Sequence, residues 1–271
     1  MKTFACVTTF NESYYNDIAH AMIKTYKKFW PKNINLYAYT ENFSLPVNAL
    51  ASNVKQYDIH EKCDPNLQNI LDWRGNHFTR GFLYKTYSII HAAKNIKEDV
   101  LIYLDADSIT YNHITETFLE SVLPSNALAS YMGVTMHKGN KEENAETCIF
   151  LLDKTHAGFQ NFINHYEDIY ESRDIGDKNR FSKPHDTWAF TECVQRAKTQ
   201  GHYVHDLNPA RKSQSPLKKT VLGEYFRHFK AKRKNDPEIN EYVEMILNGH
   251  DIKTIDKLIN ENKHKGGDQL L

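Results

Sequence analysis

Apolar runs and helix-spaced apolar positions alternate through the first 130 or so residues. "FACVTTF" is continuous enough to predict a strand. The stretch "YNDIAHAMIKTYKKFW" carries Ile18, Met22, Tyr26 and Phe29 at helical intervals, and Pro31 ends it. "INLYAYT" predicts a second strand and "SNVKQYDI" a short third. "FLYKTYSIIHAAKNI" predicts a helix with Leu83, Tyr87, Ile90 and Ala93 near one face. "VLIYL" predicts a fourth strand, apolar enough to be covered on both faces. Strands alternating with helices point to right-handed β-α-β units on a mainly parallel sheet flanked by helices, an α/β fold.

The second half is mixed. "NALASYMGV", "TCIFLL" and the short "HYVHDL" predict strands, and "THAGFQNFINHYEDIY" and "DTWAFTECVQRAKT" predict helices. Lys218 to Lys234 is a basic stretch. Beyond Pro237, "EINEYVEMILNG" and "IKTIDKLINEN" predict helices with a loose end after them. With no internal repeat and no long Gly/Ser linker, the division is a catalytic-size domain over 1–235 and a helical C-terminal extension over 236–271.

Composition narrows the functional classes. The 34 basic and 34 acidic residues balance, so nothing global favours nucleic acid or a membrane surface as partner. The four cysteines form no C-x-x-C pair and fit no zinc module. Cys6 and Cys148 fall in strand-like runs, where a free thiol acts as a small apolar filler. The expectation is a reduced compartment and a cytoplasmic location, in a cell or an infected host. The N-terminus "MKTFACVTTFNES" is too short in apolar residues for a secretion signal or a membrane span.

The chemistry concentrates where "VLIYL" runs into Asp105, Ala106 and Asp107. In open α/β sheets, ligands sit outside the carboxyl ends of the strands. Residues i and i+2 of an extended chain point to one side, and two carboxylates aimed together repel unless a cation joins them. Mg²⁺ and Mn²⁺ take oxygen ligands, commonly one or two carboxylates together with substrate phosphates. The plainer alternative is that Asp107 and Ser108 merely open a turn.

This arrangement resembles the GT-A glycosyltransferases, whose D-x-D motif follows a buried strand and holds a divalent metal on a nucleotide-sugar diphosphate. The likeness covers most of 1–235 and has glycogenin-like features. "FACVTTFNESYY" is similar to the first strand and nucleotide-binding loop of those enzymes, which implies Thr8, Thr9, Phe10, Asn11 and Tyr14 as nucleotide contacts, with Tyr14 or Tyr15 stacking on the base. "RGFLYKTYSIIHAA" is similar to the helix that carries a basic residue towards the donor, which implies Lys85 and Arg80. "ETCIFLL" and "PHDTWAF" correspond to acceptor-side segments, which implies Glu146 and Asp186 as candidate acid–base groups, with Trp188 beside a sugar. Asp186 also suits the N-cap of its helix. "YFRHFKAKRK" resembles the late loop in which His228 would complete the metal site and Lys230 would touch phosphate, with Arg227 and the basic residues that follow closing over the diphosphate.

The resemblance implies a metal-dependent hexosyltransferase: Asp105, Asp107 and His228 on Mn²⁺ or Mg²⁺, Ala106 beside the nucleotide, and Lys85 in the catalytic set with Glu146 and Asp186. The expected partners are a nucleotide-sugar donor, with a UDP-sugar favoured, and a glycan, protein or small-molecule acceptor. Two rival readings stand beside this one. A haloacid-dehalogenase-type phosphatase would use Asp105 as nucleophile and Asp107 as acid, but "IGDKNRF" supplies only Asp177 of the acid cluster that class needs. The other is a non-catalytic binding protein on the same fold. A nucleotidyltransferase is disfavoured because "TTFNESYY" has no glycine for a phosphate loop.

Overall fold

The apolar residues of the first strand alternate between two cores. In the computed structural model, which describes residues 2–62, 77–135, 143–171, 186–210, 216–229 and 238–257, β1 (Phe4–Asn11) sends Phe4, Cys6 and Phe10 to one face of the sheet and Ala5 and Val7 to the other. The strand is buried on both faces, which is why it reads as a nearly unbroken apolar run.

After β1 the chain turns through α1 (Glu12–Tyr14) and a π-helical turn (Tyr15–Ala19) into α2 (His20–Phe29). Asn11 caps α1, its side-chain oxygen accepting from the Tyr14 amide at 2.8 Å. The π turn departs from the simple helix that the spacing predicts. It still buries Ile18 beside Met22 and Tyr26, each contributing on the order of 1.5–3 kcal/mol by leaving water. β2 (Asn35–Glu41) and β3 (Val54–Asp58) follow, with a short α3 (Ile59–Lys62). α4 (His77–Asn95) then crosses to β4 (Val100–Leu104), which is buried at all five positions. β5 (Ser108–Thr110), α5 (Glu116–Val122), β6 (Ala129–Thr135), β7 (Glu143–Asp153), α6 (Phe159–Glu171), α7 (Asp186–Thr199) and β8 (Val204–Asp206) come next. β9 (Phe226–His228) and α8 (Glu238–Leu247) follow them.

The strand order is β3-β2-β1-β4-β7-β6-β8. β3, β2, β1 and β4 are parallel neighbours, β7 runs antiparallel to both β4 and β6, and β8 pairs parallel with β6. The sheet is therefore mostly parallel, with an antiparallel strand inserted beside β4. Helices cover both faces: α2 and α8 pack with the core under Phe4, Cys6 and Ile102, and α4, α6 and α7 pack with the core over Val7, Leu101 and Tyr103.

Two features lie outside the periodicity of the sequence. β5 and β9 form a separate antiparallel ribbon in which Ser108 faces His228 and Thr110 faces Phe226. The extension beyond residue 235 contributes Ile239, Tyr242, Val243, Ile246 and Ile255 to the same core as α2. Among the described residues, no helix is long and apolar enough to cross a membrane.

Candidate active site

A cleft of about 490 Å³ opens at the carboxyl ends of β1, β2 and β4. That volume is within the range typical of small-molecule sites. The tip of β1 supplies Thr9, Phe10 and Asn11, and α1 supplies Tyr14. Lys85 comes from α4, Glu146 and Thr147 from β7, Asp186 and Thr187 from α7, and His228 from β9.

Asp105 and Asp107 lie at its floor. The extended geometry expected for the pair is not what brings them together. β4 ends at Leu104, and the chain turns tightly, the Ser108 amide donating to the Asp105 carbonyl at 2.9 Å. The turn of the plainer alternative is therefore present, and the two carboxylates still converge. The ribbon of β5 and β9 brings His228 alongside, with the Phe229 amide donating to the Asp107 carbonyl at 3.0 Å. His228 Nε2 stands 2.9 Å from Asp107 Oδ1 and 3.7 Å from Asp105 Oδ2.

The second oxygen of each carboxylate is held from behind. Asp105 Oδ1 meets Lys85 Nζ at 2.9 Å, and Asp107 Oδ2 accepts from the Tyr14 hydroxyl at 2.8 Å. Each acid thus turns one oxygen towards the imidazole, and its other oxygen is fixed. This donor set fits a divalent cation. Two carboxylate oxygens and one imidazole nitrogen lie within 4.8 Å of one another. Ligands about 2.1 Å from a shared ion in octahedral geometry stand about 3 Å apart when adjacent. Glu146 and Cys148 also group with His228. For a hard cation the all-oxygen pair with imidazole is the better match.

Lys85 is buried and spans two acids, Asp105 and Asp186, the latter at 2.7 Å. It also donates to the Thr147 carbonyl at 2.8 Å and lies 4.5 Å from the centre of the Tyr103 ring. Burial alone would push this ammonium down, but the carboxylates of Asp105 and Asp186 hold it well above the usual lysine range. Asp105 moves up through burial, and the Asp107 charge adds to this while Lys85 opposes it. Burial and the neighbouring Asp107 carboxylate raise the Tyr14 hydroxyl, so Tyr14 remains a donor. Asp186, at the start of α7, accepts from Thr147 Oγ1 at 2.6 Å.

The remaining expected residues divide. Thr9, Phe10, Asn11, Tyr14, Ala106, Glu146 and Asp186 all line the cleft. Thr8 is buried in the sheet and does not line it. Tyr15 packs against Phe10 and Phe43 instead, with ring centres 6.1 and 5.8 Å away. Trp188 is buried in the core over Tyr103 and Phe150, not beside a sugar site. Arg227 does not reach over the cleft. It pairs with Asp256 and lies over the ring of Tyr242, so it faces the C-terminal helices. The side chain of Arg80 lies outside the described residues, as does Lys230 with the rest of the basic segment to Lys234.

Glu41 and Thr147 escaped the sequence reading. Glu41 ends β2 and lines the cleft, in register with Asn11. It directly follows the strand predicted at "INLYAYT", but only the register of β1 and β2 shows that it reaches the cleft. Thr147 adjoins Glu146, and its hydroxyl is visible as functional only through its bond to Asp186.

No protein-family model matches the sequence, and no curated protein matches it either. Solved structures do. The chain is similar to the galactosyltransferase LgtC in complex with donor and acceptor sugar analogs, at 13% identity and a TM-score of 0.53, over 89% of this chain and 95% of that one. It is similar to the glycosyltransferase GlyE of Streptococcus pneumoniae TIGR4, at 12% identity and a TM-score of 0.53, over 97% of this chain and 64% of that one. It spans 46% of the GlyE chain in its apo form. It is also similar to a glycosyltransferase involved in glycosylation of the major capsid of PBCV-1, at 14% identity and a TM-score of 0.50, over 90% of this chain and 100% of that one. With the mostly parallel sheet and the acids at the tip of β4, these likenesses identify the fold as GT-A.

Proposed function

We propose that this chain is a metal-dependent glycosyltransferase that moves a sugar from a nucleoside-diphosphate sugar, a UDP-sugar by preference, to a glycan, protein or small-molecule acceptor. The observation that carries the reading is the convergence of Asp105, Asp107 and His228, with Lys85 and Tyr14 fixing the oxygens turned away from the imidazole. A glycosyltransferase is also the class to which the structurally similar proteins belong.

In this reading Asp105, Asp107 and His228 hold Mn²⁺ or Mg²⁺. The ion would bind the donor's diphosphate and offset the charge that grows as the nucleoside diphosphate leaves. Lys85 acts mainly through other groups: its ion pairs hold Asp105 and Asp186 in place, and its charge opposes the rise that burial gives the Asp105 carboxyl. Thr9, Phe10, Asn11 and Tyr14 line the nucleotide end, and Thr9 Oγ1 is a buried hydroxyl that has no partner among the described residues and can bond a ligand. Glu146 and Asp186 line the other side of the cleft and are the acids available to the acceptor hydroxyl or to the sugar. Asp186 is bonded to Lys85 and Thr147, which suits it to holding hydroxyls, and Glu146 is the second acid on that side of the cleft.

The test is thermal unfolding of the full chain with each nucleoside diphosphate, in Mn²⁺ and again in EDTA. A ligand at 100 times its Kd adds about 2.7 kcal/mol, a rise on the order of 5–10 °C for a chain of this size. The expected result is a rise with one base that disappears in EDTA. A rise unchanged by EDTA, or none with any nucleotide, sinks the metal–diphosphate reading.

A further inference from the structure

Glu41 lines the cleft, and the reading above gives it no part. It is half-buried at the tip of β2, where Asn42 takes a left-handed conformation (φ 54°) and turns the chain away, so the carboxylate stays at the sheet edge. Among the described residues the Glu41 carboxyl has no hydrogen bond and no ion pair, and burial alone perturbs it. A buried polar group without a partner is costly, and cleft carboxylates of this kind mark functional sites. Burial also raises the Glu41 carboxyl, to about 7.

Its place in the sheet defines what it can meet. β1 lies between β2 and β4, so Glu41, opposite Asn11, and Asp105, two residues past the Val7–Tyr103 pair, stand at strand tips on either side of β1. Two strand spacings separate those tips by about 10 Å. The strand alternation turns Thr9, Asn11 and Glu41 to one face, the face of Ala5, Val7, Tyr37 and Tyr39. A nucleotide whose diphosphate rests at Asp105 and Asp107 carries its ribose next in the chain of atoms, over the tip of β1. A carboxylate has acceptors only, and a ribose offers two neighbouring hydroxyl donors. An acid that closes the second strand of a nucleotide-binding sheet is placed to bond such a hydroxyl.

We propose that Glu41 is the ribose-reading residue of this site, accepting hydrogen bonds from the 2′- and 3′-hydroxyls of the donor nucleotide. The proposal rests on the nucleotide-sugar reading above, and its test separates the two. Calorimetric titrations in Mn²⁺ compare the wild-type chain with Glu41→Gln. The probes are UDP, 2′-deoxy-UDP, GDP, 2′-deoxy-GDP and inorganic pyrophosphate, which has no ribose. For whichever base binds, the wild type should prefer the ribonucleotide over its 2′-deoxy partner by about tenfold or more, since bonds to a charged acceptor are the stronger class. Glu41→Gln should bind the ribonucleotide about as weakly as the deoxynucleotide and bind pyrophosphate no more weakly than the wild type does. Removing a negative charge should by itself tighten every anion, so a loss confined to the ribonucleotide is not a charge effect. Equal losses for ribo and deoxy forms, or no loss, overturn the ribose assignment while pyrophosphate binding upholds the metal–diphosphate site. If neither protein binds pyrophosphate or any nucleotide, the donor reading fails, and the ribose assignment fails with it.

Discussion

An unpartnered carboxyl in a cleft wall should weaken the fold in a pH-dependent way. Burial raises the Glu41 carboxyl from an ordinary 4.5 to about 7. The folded chain therefore holds that proton more tightly than the unfolded chain does. Between about pH 4.5 and 7 the unfolded state gives up the proton first, so stability falls as pH rises through this window and levels off above it. Each pH unit between the two values is worth about 1.4 kcal/mol, which sets a ceiling of about 3 kcal/mol. Because Glu41 keeps some contact with water, the realised cost is about 1–2 kcal/mol. Glu41→Gln removes the titration and keeps the shape. Urea unfolding of both proteins from about pH 5 to pH 8 should therefore give nearly equal stabilities at the acid end and a variant more stable by about 1–2 kcal/mol at the alkaline end. A difference independent of pH, or a variant less stable at pH 8, refutes the reasoning, because it would mean that the carboxylate has a partner in the folded state.

Other expectations follow from the proposed metal site and its supports. Asp107→Asn should keep the fold by circular dichroism yet lose the Mn²⁺-dependent nucleotide shift, with turnover down by more than the roughly 100-fold that losing a residue behind a metal ligand costs; full turnover would remove Asp107 from the metal site. Tyr14→Phe deletes the bond to Asp107 Oδ2 and should weaken Mn²⁺ about tenfold in a direct titration, with little change in unfolding; unchanged Mn²⁺ affinity would show that Tyr14 does not position the ligand. Lys85→Met leaves Asp105 and Asp186 facing each other without their cation and should cost roughly 3–5 kcal/mol in urea unfolding. Adding Asp186→Asn should recover part of that loss, and an equal loss in the double variant would deny the pairing.

The sequence made the sheet and its covering helices legible because the strands that matter most are buried on both faces. "FACVTTF" and "VLIYL" need no partner to be recognised. The acid pair was legible because it interrupts such a strand. β5 and β9 were not, since three residues set no period and their pairing joins Ser108 to His228 across half the chain. The resemblance supplied His228, and the ribbon supplies the physical reason it arrives beside Asp107. Arg227 was drawn to the donor by the basic run around it. Its partner Asp256 lies in a segment whose mixed charges favoured no contact. Trp188 was placed by its nearness to Asp186, but neighbours on a helix face different ways, and Trp188 faces the core while Asp186 faces the cleft. Glu41 belongs to no motif. Only the register of β1 and β2 brings it level with Asn11.

The ribbon also sets an order of events. A chain emerging from its N-terminus makes β1 to β4 and the turn carrying Asp105 and Asp107 long before His228 exists. In that interval the two carboxylates lack the imidazole that completes their set. When β9 closes on β5, the imidazole arrives, and the C-terminal helices hold the same ribbon through Arg227 and Asp256. At the proposed metal site, tight capture of an ion would thereby be reserved for chains that have finished folding. In refolding followed by metal uptake, an ion held by the proposed site should enter only once β9 has paired with β5, which would make it a timekeeper for that step of assembly.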